Sequence, residues 1–152
     1  MKTRIFLIGM LAFASVTLFA QKKEAAPKKQ KDKILVSRTY TVDISETGTK
    51  KPKHTPDEIV FKSGKLTSKF MTTEQHFPAG EYAIASVDTA EKYVEITFTS
   101  ESQNQDGETI KWDGTVTDDA IEGKAVVTSK KGKVVAEYAF SGNEKEKKGK
   151  KK

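Results

Sequence analysis

The chain is 152 residues long, 32% of them charged, with no cysteine and a formal net charge of +6. The lack of thiols excludes disulfides, cysteine-ligated metals, a cysteine nucleophile and a lipid carried on cysteine. The positive charge lies at the ends, because residues 34–143 carry 13 basic and 17 acidic residues, a net of −4, which removes most of the case for a nucleic-acid-binding domain.

Lys2 and Arg4 open the chain, and residues 5–20 then run almost without polar atoms before the sequence turns hydrophilic at Gln21. A basic start, an apolar core and a small residue are what the secretion machinery reads. The pattern predicts a signal peptide over 1–20, cleaved after Ala20. Ala12-Phe13-Ala14 fits the small-x-small rule better than Leu18 to Ala20 does, but a cut there would leave residues 16–19 exposed. The apolar run is shorter than the ~20 residues a membrane span needs, although an uncleaved anchor is the competing reading. A free secreted or periplasmic protein is expected, not a lipoprotein.

Residues 21–33 hold six lysines against Glu24 and Asp32 and have no periodic apolar face. They read as a disordered basic linker. Residues 144–152 hold six lysines against two glutamates and read as a disordered basic tail. Such ends are weakly attracted to anionic surfaces such as a cell envelope; a purely solubilising role competes.

Between the ends, one β-barrel domain is expected over 34–143, and the pattern is β throughout. Val36, Tyr40, Val42 and Ile44 share one face of a first strand. Ile59 and Phe61 lead through Ser63-Gly64 to Leu66, Ser68 and Phe70, two strands joined by a tight turn. Residues 81–87 form a fourth strand. A fifth, residues 93–100, alternates Val94, Ile96 and Phe98 with polar residues. Ile110, Trp112, Gly114 and Val116 define a sixth, Ile121, Gly123, Ala125 and Val127 a seventh, and Val134, Ala136, Tyr138 and Phe140 an eighth. No stretch repeats its apolar residues at the helical period over ten residues. Eight strands with one apolar face each hide that face and their two edges by curling until first and last strands meet. The fold class is therefore all-β, an eight-stranded antiparallel up-and-down barrel; a two-sheet β-sandwich is the alternative.

The run Lys111-Trp112-Asp113-Gly114, continuing through Ile121-Glu122-Gly123 to Tyr138, Phe140 and Gly142, resembles the repeated hairpins of small lipocalin-like barrels. In strand order and length the likeness covers residues 34–143, and the chain is similar to secreted bacterial proteins of that calycin type. The glycine-x-tryptophan of the first lipocalin strand is absent, with Arg38 and Tyr40 in its place. The resemblance thus implies a barrel and carries over neither a ligand nor a site residue.

Tyr40, Phe61, Phe70, Phe98, Trp112, Tyr138 and Phe140 fall on the inward lattice, interspersed with Ser68, Ser100, Gly114, Gly123, Ala125 and Ala136. An eight-stranded barrel is just wide enough to be filled by its side chains or to hold one small ligand. The small residues suggest space. Arg38 shares the Tyr40 face; if buried it must be paired, stacked on Trp112, or waiting for an anionic group, and at an exposed strand end it is ordinary. Phe77-Pro78 is an apolar pair at the rim, in one of the two longest connections. The expected ligand-binding set is Arg38, Tyr40, Phe61, Phe70, Phe77, Phe98, Trp112 and Tyr138. The expected function is non-enzymatic binding of a small, partly apolar ligand in the interior or mouth. A protein- or envelope-binding module with a filled core is the alternative.

The chemistry of an enzyme is thinly represented. His54 lies in a Lys/Pro-rich loop, and His76 follows Glu74 in the connection before the fourth strand. A hydrolase using His76 is the weak enzymatic alternative, and His54, His76 and Glu74 match no known metal-ligand spacing. Asn104, Asp106 and Glu108 suggest a calcium loop faintly and a polar turn strongly. No catalytic residue, metal or cofactor is expected.

Overall fold

A computed structural model describes residues 34–89 and 93–146. The expected signal peptide, the linker 21–33 and the tail from residue 147 lie outside the described residues. The elements run β1 (Thr39–Glu46), β2 (His54–Lys62), β3 (Lys65–Ser68), α1 (Lys69–Thr73), β4 (Gly80–Thr89), β5 (Val94–Gln103), β6 (Thr109–Thr117), β7 (Ala120–Thr128) and β8 (Val134–Glu144).

Each strand pairs antiparallel with the next, and β1 closes the circle on β8, from Tyr40 opposite Glu144 to Glu46 opposite Tyr138. The ring of eight strands is thus a barrel, and the sandwich is excluded. The period-two alternation seen in the sequence is the cause, because it gives every strand an inward apolar row. Ser63 and Gly64 both take positive φ, +54° and +77°. That is the geometry of the two-residue turn whose twist matches the flanking strands.

The barrel has two distinct ends. At the terminal end the chain enters β1 and leaves β8, alongside the turns at residues 63–64 and 118–119 and the tip of the β4–β5 hairpin. At the helix end lie the connection 47–53, α1 with the segment to Gly80, and the turns at 104–108 and 129–133. Leu35, fully buried, plugs the terminal end, and Met71 and Phe77, each 2% exposed, plug the other.

Four sequence expectations are corrected by local chemistry. The first strand begins at Thr39, since Ser37 turns left-handed at φ +70° and its amide bonds to the Phe61 carbonyl at 2.7 Å. That turn sends Leu35 into the core and Val36 outward. The third strand stops at Ser68, whose hydroxyl accepts from the Met71 amide and caps α1, so Phe70 is helical. A bulge at Ala85 interrupts the pairing of β4 with β5. At the far end, β8 reaches Glu144, and the Lys145 amide bonds to the Thr39 carbonyl at 2.7 Å. The first residues of the expected tail therefore belong to the barrel.

Candidate functional site

The interior is built first from aromatic rings. Tyr40, Phe61, Phe98, Trp112, Tyr138 and Phe140 are all buried, as expected for the inward lattice. Five of the six meet within the set, Tyr40, Phe61 and Phe98 in one group and Trp112 with Phe140 in another. Phe61 stands edge-on to Tyr82 and Phe98, with centroids 5.0 Å apart in both cases, and to Tyr40 at 5.9 Å. Trp112 meets Phe140 at 5.4 Å. Edge-to-face pairs of this kind contribute roughly 0.5–1.5 kcal/mol beyond their burial. The small inward residues, expected to leave room, are what lets the rings in. A Cβ on Gly114 would collide with the tip of the Phe98 ring, and one on Gly123 would lie 2.7 Å from the Phe140 ring. Each lattice glycine is covered by the ring paired with it on the adjacent strand, Phe98 on Gly114 and Phe140 on Gly123.

Two members of the expected ligand set sit elsewhere. Phe77 is not a solvated rim residue: its amide bonds to the Met71 carbonyl at 2.9 Å, and the ring is buried in the core. Phe70 is half-buried on α1 and touches the Tyr138 ring at 6.1 Å. The junction is held by Asp57, a buried inward carboxylate. It accepts from the Ser68 hydroxyl at 2.5 Å and from the Phe70 and Glu58 amides at 2.7 Å each.

Arg38 is paired at the terminal end rather than stacked on Trp112. Its Nε donates to Glu144 Oε2 at 2.7 Å, its Nη2 also meets that carboxylate, and Nη2 donates to the Asp118 carbonyl at 2.6 Å. The guanidinium lies 5.4 Å from the Tyr40 ring centroid. Burial works against the Arg38 charge, but the Glu144 hydrogen bond and the surrounding negative groups outweigh it and raise the pKa. Burial likewise pushes the Tyr40 phenol well above its ordinary value, with Arg38 pulling down and Glu144 and Asp119 pushing up. The Tyr40 hydroxyl has no hydrogen-bond partner among the described residues.

A broad open feature lies on the outside. A depression of ≈ 830 Å³ crosses the outer faces of β1 and of β5 to β8, with Ala85 and His54 also on its lining. Its floor is the backbone of the facing pair Gly114 and Gly123, with the Phe98 and Phe140 rings packed directly behind. Polar side chains stand around it, Thr97, Thr115, Ser141, Asp113 and Glu122 with Lys124 as a cation, while most of its exposed lining is carbon. The sequence reading missed this surface, because it followed the inward residues; the signal was the run of small polar side chains at the alternate positions. His54 Nδ1 lies 2.8 Å from Asp43 Oδ1 on the exposed rim.

His76 falls on the turn after α1, exposed, at φ +57°. Among the described residues, no three His, Cys, Asp or Glu side chains gather closely enough to hold a metal. In the 104–108 turn, Asn104 Oδ1 accepts from the Asp106 and Glu108 amides, at 3.1 and 2.9 Å. That oxygen is engaged in shaping the turn.

No protein-family model, no curated protein and no solved structure matches this chain.

Proposed function

We propose that this protein is an exported, non-enzymatic binding module that works through its outer surface. The observation that carries the reading is the interior: its rings pack edge-to-face in two groups, and Leu35 at one end and Met71 with Phe77 at the other are buried. A filled barrel is a rigid support. The outer depression, lined by hydroxyl, carboxylate and amine groups over a glycine floor, is the surface it holds in place. A partner for such a wall is extended, as an envelope polymer or protein segment is; it lays carbon on the glycine floor and hydrogen-bonds to the surrounding side chains without entering the core.

The test is amide-resolved NMR of the labelled protein titrated with solubilised envelope extract. Shifts gathering on Asp43, Thr97, Thr115, Lys124 and Ser141 are expected, and Ala139→Trp, which fills the depression from outside, removes them. Shifts on the interior residues Phe61, Trp112 and Tyr138 would refute the surface reading.

One observation favours a second reading, in which a small, partly apolar ligand is held at the Arg38 and Tyr40 mouth. The Tyr40 hydroxyl is buried without a partner among the described residues, and a buried donor gains by meeting an acceptor. Native mass spectrometry of protein purified from its host tests it, through a non-covalent adduct that Tyr40→Phe weakens.

A further inference from the structure

Among the described residues seven large hydrophobic side chains are exposed, and five of them, Ile34, Val36, Val87, Tyr93 and Val94, lie at the terminal end. The grouping follows from topology. Tyr40 faces Glu144, so the chain enters and leaves at one end. Asp118, in the turn between β6 and β7, accepts from Arg38 through its carbonyl at 2.6 Å. The same residue exchanges hydrogen bonds with Val94, each 3.2 Å long, which ties the β4–β5 hairpin to that end.

Val87 and Val94 are exposed for a reason. The pairing of β3 with β4 ends at Lys65 opposite Glu81, while β4 and β5 continue to Thr89 opposite Val94. The hairpin therefore extends past the neighbouring strand, and its inward-type residues have no core beneath them. The lysine-rich runs are joined to this same end by the chain itself. Ile34 follows Lys33 directly, and Lys147 follows Glu146 two residues beyond the end of β8. Residues 21–33 and 147–152 together carry eleven lysines against Glu24 and Asp32.

An apolar surface and lysine-rich sequence continuing from the same end of the body are the two signals that hold a protein reversibly on an anionic bilayer. The geometry points to the terminal end as a docking surface for anionic phospholipid. Val87, Val94 and Tyr93 enter the headgroup layer, a tyrosine suiting that polar–apolar boundary. The neighbouring Asp88 and Glu95 keep the insertion shallow. The lysine runs supply the electrostatic attraction. The inference rests on the protein being a surface-acting module of the envelope and names the membrane as what that module stands on.

The test is co-sedimentation of the processed protein, its N-terminus established by mass, with vesicles of phosphatidylglycerol and phosphatidylcholine. Binding to the mixed vesicles at about 0.1 M salt, none to pure phosphatidylcholine, and release at about 0.5 M salt are expected. Truncation after Glu146, which removes five lysines outside every described contact, weakens binding about ten-fold or more. Val87→Asp with Val94→Asp does the same, and the milder Tyr93→Ser weakens it less; an unchanged melting temperature certifies each fold. Ala139→Trp leaves vesicle binding intact, so failure of the wall reading and failure of this one are separate results. Wild-type binding by both tip variants would mean lysine attraction to any polyanion and would overturn the proposal. So would retention that survives high salt and the truncation, which would place the anchor elsewhere in the chain.

Discussion

Removing the Asp57 carboxylate should unseat α1 and loosen the helix end of the barrel. In Asp57→Ala the Ser68 hydroxyl and the Phe70 amide, at 2.5 and 2.7 Å from the carboxylate, lose their acceptor, as does the Glu58 amide. Bonds to a charged group contribute roughly 1.5–3 kcal/mol each, and a buried donor left unpaired costs about 1–3 kcal/mol. Ser68 is 3% exposed, so water cannot easily stand in at its hydroxyl, whereas it can partly replace the acceptor at Phe70 and Glu58. The net loss is about 3–5 kcal/mol, a large share of the ~5–15 kcal/mol that holds a domain together. Asp57→Asn keeps one oxygen for the two amides and turns its amino group on Ser68, so it should cost only about 1–2 kcal/mol. Urea unfolding followed by Trp112 fluorescence measures both at equal m-value. Ser68→Ala alone should cost about 1 kcal/mol as a lost helix cap, and the double variant should show about 1 kcal/mol or more of coupling. An alanine variant within about 0.5 kcal/mol of wild type, or no coupling with Ser68, would refute the argument.

The remaining predictions concern the rest of the barrel. Tyr40→Phe should raise stability at neutral pH by about 1–2 kcal/mol, since it removes a buried hydroxyl without a partner among the described residues. Because burial raises the Tyr40 pKa, the native state keeps the proton that the unfolded chain releases near pH 10. Stability is thus intact below pH 10 and falls above it by up to about 1.4 kcal/mol per pH unit, and Tyr40→Phe flattens that fall in alkaline denaturation. Truncation after Asn143 should cost about 1–3 kcal/mol, because Arg38 loses Glu144 and Thr39 loses the Lys145 amide; truncation after Glu146 should leave the melting temperature unchanged. Gly123→Ala should cost about 3 kcal/mol or more, since its Cβ would meet the backbone of Asp113 and Gly114; Gly114→Ala, which meets only movable rings, should cost less in the same urea titration.

The alternation of Val42 and Ile44, of Ile96 and Phe98, and of Ile110 and Trp112 made the strands and the barrel legible, because period two leaves a sheet one buried face. The termination of β3 was not legible. Phe70 continues the alternation of Leu66 and Ser68, and the Ser68 cap is completed by Asp57, thirteen residues before Phe70 in the chain, which accepts the Phe70 amide. Leu35 was hidden for the same kind of reason, since Val36 fits the strand pattern and the left-handed turn at Ser37 lets Leu35 into the core instead. At the candidate site, the burial of the rings was readable but the volume they occupy was not. Gly114 and Gly123 mean space in one dimension and a seat for Phe98 and Phe140 in three.

The seam between β1 and β8 has a kinetic consequence. Every other ladder joins strands adjacent in sequence, whereas the Arg38–Glu144 contact at this seam spans 106 residues. Loop-closure entropy opposes that contact far more than any hairpin, so the ribbon assembles from local pairs and zips the seam last. Until it does, two bare strand edges face solvent, and the slow-closing chain is most open to misassociation at the moment it is nearly native.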